Sequence, residues 1–131
     1  MAASFQTSVI TPEGTVFEGK ADFVAIPAID GEVGILHNRA PLLAKLGAGR
    51  LRVESSGNKQ EWFIAGGFAQ VLDNHVIVLT QEAIARDKLN PEKARAQLAE
   101  AKAITPTDDI AAKRKSSLEA SARAQLRLAG R

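Results

Sequence analysis

Apolar positions fall into two regimes along the chain. Through residue 80 they form short β-branched and aromatic runs, punctuated by turn residues at intervals of about ten, and that spacing predicts strands rather than helices. The expected strands cover residues 4–10, 14–20, 23–26, 32–36, 51–55, 61–64, 69–73 and 76–80. Between them sit the breakers Thr11-Pro12-Glu13-Gly14, Asp30-Gly31, Ser56-Gly57-Asn58, Gly66-Gly67 and Asp73-Asn74. Gly47-Ala48-Gly49-Arg50 reads as a further turn, and Gly66-Gly67 as a bulge or tight bend. Many short strands at this spacing imply a sandwich or flattened barrel.

Beyond about residue 86 the pattern changes to alanine and long unbranched charged residues, which are strong helix formers. Asn90-Pro91 supplies an N-cap and a first-turn proline, and Thr105-Pro106-Thr107-Asp108 repeats the device. Two starts predict two helices, at about residues 91–104 and 107–128, in an antiparallel hairpin. Their large apolar residues are few: Leu98 and Ile104, then Ile110, Leu118, Leu126 and Leu128. At about 1.5–3 kcal/mol per buried side chain, these do not clearly exceed the cost of ordering the hairpin, about 1–2 kcal/mol per residue. The hairpin is therefore expected to depend on docking.

The chain is thus read as α+β, with an N-terminal all-β sandwich over residues 1–85 and a C-terminal α-helical hairpin over residues 86–131. Composition sharpens that division. All six aromatic residues and nine of ten glycines precede residue 70, so only the first part has the means for a large core. Residues 1–85 carry six basic and nine acidic side chains, whereas residues 86–131 carry eleven and six, so the overall +2 conceals a basic tail. Lys113, Arg114, Lys115, Arg123 and Arg127 make that tail either a solvated helix whose basic end suits its dipole or a docking surface for an acidic partner. Nucleic acid is not the expected partner, because no aromatic lies among the basic residues.

Chemistry is scarce. Cysteine and tyrosine are absent, and no phosphate loop, HExxH or GxSxG motif occurs. His37 lies in the loop after the fourth expected strand and His75 in a turn beside Asp73-Asn74, so neither has partners for metal binding or proton transfer. The start has no signal or transit pattern and no apolar run approaches the length of a membrane span.

Two motifs in order, GEVGILHNRAPLL from Gly31 to Leu43 and FIAGGFAQVLDNHVIVLTQEAI from Phe63 to Ile84, followed by LNPEKARAQLAEAK, resemble the epsilon subunit of F-type ATP synthases. The strongest elements are Gly31, Glu32, Gly34, Ala40, Pro41 and Leu42, then Gly66-Gly67-Phe68 and the run Val76 to Leu79. The resemblance spans essentially the whole chain. It implies a non-catalytic subunit of the rotating central stalk, whose sandwich binds the gamma subunit and rests on the membrane rotor ring of c subunits. It further implies that the hairpin either folds on the sandwich or extends along gamma toward the catalytic alpha and beta subunits, where it restrains ATP hydrolysis.

Carried onto this sequence, the ring and gamma contact loop comprises Gly31, Glu32, Val33, Gly34, His37, Asn38, Arg39 and Leu42. The resemblance assigns Lys113, Arg114, Lys115, Arg123 and Arg127 to an acidic beta segment. Family members commonly carry proline at the position of His37 and histidine at that of Arg39, so this loop is less restrained and more basic. Some members bind ATP as a regulatory ligand between the helices through an [IL]-D-x-x-R-A motif. Here asparagine and lysine replace its aspartate and arginine, leaving Asn90, Lys93, Arg123 and Arg127 as the remaining contacts. No resident cofactor or metal is implied. The expected location is the cytoplasmic face of a bacterial inner membrane, or a plastid thylakoid, reached only through the complex. A free-standing adaptor built from the same two parts is the alternative.

Overall fold

The computed structural model describes residues 4–130. Its strands are β1 (Phe5–Thr11), β2 (Gly14–Ala21), β3 (Phe23–Ala28), β4 (Gly31–Ile35), β5 (Leu42–Ser55), β6 (Asn58–Leu72), β7 (His75–Leu79) and β8 (Ala83–Ala85). A 3-10 turn, Arg86–Lys88, leads to helices α1 (Pro91–Ala103) and α2 (Asp109–Ala129). Strand order is β2-β1-β7-β6-β5-β3-β4, with β8 continuing the edge of β6 that β7 occupies. The β1–β7 pair is parallel and the others are antiparallel.

The long β5–β6 ribbon belongs to both layers of the sandwich, and it does so by changing face. At its start β5 turns the even-numbered Leu42, Ala44 and Leu46 to the core, but later the odd-numbered Leu51 and Val53. On β6 the exchange matches, from Trp62 and Ile64 to Ala69 and Val71. The two strands stay paired throughout, with Leu46 opposite Gly67 and Ala48 opposite Ala65. Between these points Gly66 and Gly67 take φ of +79° and +115°, a region that side chains with a Cβ rarely enter. On the far edge of β5 the register with β3 jumps from Ala25–Arg52 to Ala28–Leu46. Pro27, which has no N–H to contribute to a ladder, fills that gap, and its Cβ lies 2.8 Å from where a Cβ on Gly49 would stand.

This corner corrects three sequence expectations. Gly47-Ala48-Gly49-Arg50 is strand rather than turn, β5 begins at Leu42 rather than residue 51, and the expected strands at 61–64 and 69–73 are one strand. Period-two alternation cannot reveal a strand that swaps its buried parity midway. His75, expected in a turn, opens β7. The second helix begins two residues late because Asp108, not the Thr105-Pro106 pair, is its cap: the Asp108 carboxylate accepts the Ala111 N–H at 2.7 Å.

The sandwich core joins Phe5, Val9, Val24, Ile26, Ile35, Leu51, Trp62, Ile64, Val76 and Val78, all buried. A second, smaller cluster lies on the outside of the ribbon. There Phe63, fully buried, meets Ala124 and Leu128 of α2, with Ala48, Ala65, Ile84 and Leu89 around them. Helix α1 then packs on α2 through the buried alanines Ala94, Ala101 and Ala122. The hairpin is thus closed by small side chains, while Ile104, Ile110 and Leu118 stay exposed. Its hold on the sandwich rests mainly on Phe63 and Leu128, each worth about 1.5–3 kcal/mol before ordering costs.

The corner is testable at Gly67, where a Cβ would lie 1.9 Å from the Leu79 carbonyl oxygen. Gly67→Ala is expected to destabilise the protein by roughly 3 kcal/mol through backbone strain and overpacking, measured by urea unfolding. A loss below about 1 kcal/mol would show that the corner is not fixed by glycine.

Candidate functional site

The stretch from Gly31 to Leu42 is anchored from within and exposed at its surface. Strand β4 pairs with β3 from Val24–Ile35 to Ala28–Gly31, and Ile35 is sealed in the core with Val33 and Leu42 packed partly against it. Gly34 is required by packing: a Cβ there would lie 2.9 Å from the Phe23 ring, whose other contact is the Arg52 guanidinium at 5.3 Å. Gly31, Glu32, Gly34, His37 and Asn38 face solvent, and Arg39 is half-buried. The loop is therefore a surface with fixed roots. No group of three or more His, Asp or Glu side chains able to hold a metal occurs among the described residues.

Two polar attachments hold it from outside. Arg50 Nη2 donates to Glu32 at 3.3 Å while its Nη1 donates to Glu61 at 3.3 Å, and Arg86 Nη1 reaches the other oxygen of Glu61 at 2.8 Å. This chain of charges runs from the loop, across β5 and β6, to the linker that precedes α1. Further along, the Asn74 side-chain oxygen accepts the Asn38 N–H at 2.8 Å. Arg50, Glu61 and Asn74 were not picked out from the sequence. Arg50 was read as part of a turn and Asn74 only as a strand breaker; nothing in their spacing signals the pairing.

The basic residues of the hairpin divide. Lys113 and Arg114 are exposed, whereas Lys115 is half-buried and its ammonium donates to the Lys102 and Ile104 carbonyls at 3.2 and 2.9 Å. It thereby caps the open C-terminus of α1 from the neighbouring helix. Arg123 pairs with Glu119 at 3.2 Å. Arg127 lines a cavity of about 160 Å³ with Glu32, Gly49, Arg50, Ala124 and Leu128, so the structure brings one end of the hairpin to the loop. Of the residues carried over for ATP, Asn90 is committed to helix capping: its side-chain oxygen accepts Glu92 and Lys93 N–H at 3.0 and 3.3 Å. Lys93 is exposed.

An apolar face completes the surface. Leu43, Phe68, Leu72 and Leu79 are 73, 52, 46 and 50% exposed, unusual values for large hydrophobic side chains. Phe68 stands directly opposite Leu79 across the β6–β7 ladder, and Lys45 opposite Phe68 on the other side. The sequence does carry a sign of this face. In β6 and β7 both parities are apolar, as in strands covered on two sides.

Comparison with known proteins gives these surfaces a context. Residues 4–86 match the beta-sandwich domain of the delta/epsilon chain of ATP synthase. The chain is 42% identical over 124 residues to the ATP synthase epsilon chain of Rhodopirellula baltica, covering 95% of this chain and 97% of that one. It is 40% identical over 106 residues to the chloroplastic epsilon chain of Chlamydomonas reinhardtii, covering 76% and 75%. Among solved structures it is similar to a chain of the Euglena gracilis mitochondrial ATP synthase, an OSCP/F1/c-ring assembly. That match has a TM-score of 0.82 and 25% identity, and covers 93% of this chain and 79% of that one. A chain of the Tetrahymena thermophila central stalk and c-ring shares the fold at 16% identity, with a TM-score of 0.72 over 95% of each chain.

Glu61 is the shared node of the ion chain, with a side chain only 16% exposed, while Glu32 at 49% is a terminal member. Glu61→Gln is expected to cost about 1 kcal/mol and Glu32→Gln only a few tenths, by urea unfolding at low salt. Equal costs would mean that the four charges do not act as a chain.

Proposed function

Because this chain belongs to the delta/epsilon family of ATP synthase subunits, we propose that it is the non-catalytic epsilon subunit of a proton-translocating F-type enzyme, coupling the gamma subunit to the membrane rotor ring and restraining ATP hydrolysis through its C-terminal helices. The single observation that best supports the mobile-helix part is the small contact that holds the hairpin, Phe63 against Ala124 and Leu128. A large apolar core on one side and a contact of two large side chains on the other favour a rigid body with a releasable arm. The division after Ala85 belongs to the same reading.

In this reading the apolar face of Leu43, Phe68, Leu72 and Leu79 packs on gamma, and the loop from Gly31 to Leu42 rests on the polar surface of the ring. Glu32, His37, Asn38 and Arg39 are its polar groups there, with Gly31, Val33, Gly34 and Leu42 shaping the loop. Lys113, Arg114, Lys115, Arg123 and Arg127 meet an acidic segment of a beta subunit once the hairpin has extended. Exposed pairs contribute only about 0–1 kcal/mol each, so the contact needs several at once. Asn90 serves its cap and Arg123 its Glu119, so a regulatory nucleotide would displace existing contacts and the reading does not require ATP. No helix among the described residues is long and apolar enough to cross a membrane. In this reading the subunit sits on the cytoplasmic face of a bacterial inner membrane, held there by its partners.

Two variants in the assembled ATPase test the regulatory role with opposite signs. Truncation after Ala85 removes the arm and is expected to raise hydrolysis while the complex still assembles. Ala124→Glu places a carboxylate in a site that is 4% exposed, at a cost of several kcal/mol when docked, so it should free the arm and lower hydrolysis. Unchanged hydrolysis in both would remove the inhibitory role. Loss of assembly on truncation would make the hairpin structural, and failure to co-purify with gamma would favour a free-standing adaptor.

A further inference from the structure

The turn between β6 and β7 does more than reverse the chain. Asp73 and Asn74 have φ of +50° and +60°, the conformation of a two-residue hairpin turn with both central residues left-handed. That turn directs the Asn74 side chain to two other segments at once. Its oxygen accepts the Asn38 N–H at 2.8 Å, and its NH2 donates to the Ser4 carbonyl at 3.2 Å. The Asn74 carbonyl also accepts the Gln6 N–H at 3.3 Å. One residue therefore joins the β6–β7 turn, the start of β1 and the tip of the loop.

The tip needs such a hold. Residues 36–41 pair with no strand, and Asn38 sits at φ +59°, a left-handed conformation that asparagine tolerates but that no ladder hydrogen bond holds in place. Position 37 is histidine, so no proline ring fixes φ there. A primary amide is the side chain that suits the opposite end: it offers an acceptor toward Asn38 and a donor toward Ser4, and asparagine tolerates the left-handed backbone. Aspartate lacks the donor and glycine lacks both.

We infer that Asn74 is the positioning residue of the contact loop, holding the His37–Arg39 tip in its binding geometry before the partner arrives. The inference rests on the reading of that loop as the ring contact. Pre-organisation lowers the ordering cost that binding would otherwise meet, so its loss should weaken binding without any partner contact being removed. Asn74 acts through the Asn38 backbone and not on the partner.

The test uses the full-length chain and a detergent-solubilised complex of gamma with the rotor ring as probe. Asn74→Gly keeps the positive φ and deletes the bridge; Asn38→Gly keeps both the donated N–H and the positive φ; Glu32→Gln alters an exposed loop carboxylate. In Asn74→Gly the Asn38 amide is expected to exchange at least about tenfold faster while β1, β6 and β7 amides stay protected, and affinity for the probe to fall by about tenfold. Asn38→Gly, which keeps the N–H that Asn74 accepts, should retain amide protection at position 38. An unchanged Asn38 exchange rate in Asn74→Gly would overturn the clamp itself. Faster exchange with unchanged affinity, while Glu32→Gln binds more weakly, would overturn positioning and leave the loop reading standing. Unchanged affinity in both Asn74→Gly and Glu32→Gln would remove the loop reading, and the inference with it.

Discussion

A sheet edge must be closed or covered, and here the obligation falls on one ribbon. Strands β5 and β6 remain hydrogen-bonded to each other along nearly their whole length while the face they turn to the core is exchanged between Leu46 and Leu51 and between Ile64 and Ala69. Only a backbone free to take positive φ passes through that exchange without losing its ladder, and Gly66 and Gly67 provide it. The same corner sets the layers apart, places Phe63 on the outside to receive α2, and puts Phe68 on an open face. The core, the seat of the hairpin and the exposed apolar face all follow from it.

The corner also explains what was legible in the sequence. Strands β1 to β4 and β7 were readable to within a residue or two because each is a short apolar run without a change of face, set off by breakers such as Pro12-Glu13-Gly14, Asp30-Gly31 and Asp73-Asn74. The helix starts were readable through Asn90-Pro91 and, two residues early, through Thr105-Pro106-Thr107-Asp108, where the cap proved to be Asp108. The central ribbon was not readable as a unit, since a swap of parity looks like a strand break, and Gly47-Ala48-Gly49-Arg50 looked like a turn. At the loop the anchors and exposed groups were visible as glycines, Ile35 and Glu32. Its external supports were not, because Arg50 and Asn74 meet it across 18 and 36 positions of sequence, and no local pattern records such a pairing.

Packing differs in kind between the two parts. The sandwich is closed by branched and aromatic side chains that interlock, and loosening any of them leaves a void. The hairpin is closed by Ala94, Ala101 and Ala122, which let two helices approach closely but bury little area each. Such an interface can separate and re-form without trapping large side chains in wrong rotamers. Ile104, Ile110 and Leu118 of the hairpin stay exposed and take no part in that interface's core.

Lys115 gives this arrangement a logic of mutual exclusion. In the closed hairpin its charge is consumed in neutralising the carbonyl end of α1, at the Lys102 and Ile104 oxygens. If the two helices straighten away from each other, that cation is released and a row of carbonyls is uncapped in the same motion. The net charge of the arm would not change in that motion, but one more of its cations would be free to pair. In the proposed reading, an acidic neighbour of the extended arm would draw on that released ammonium, so that extension and recognition would form a single coupled equilibrium.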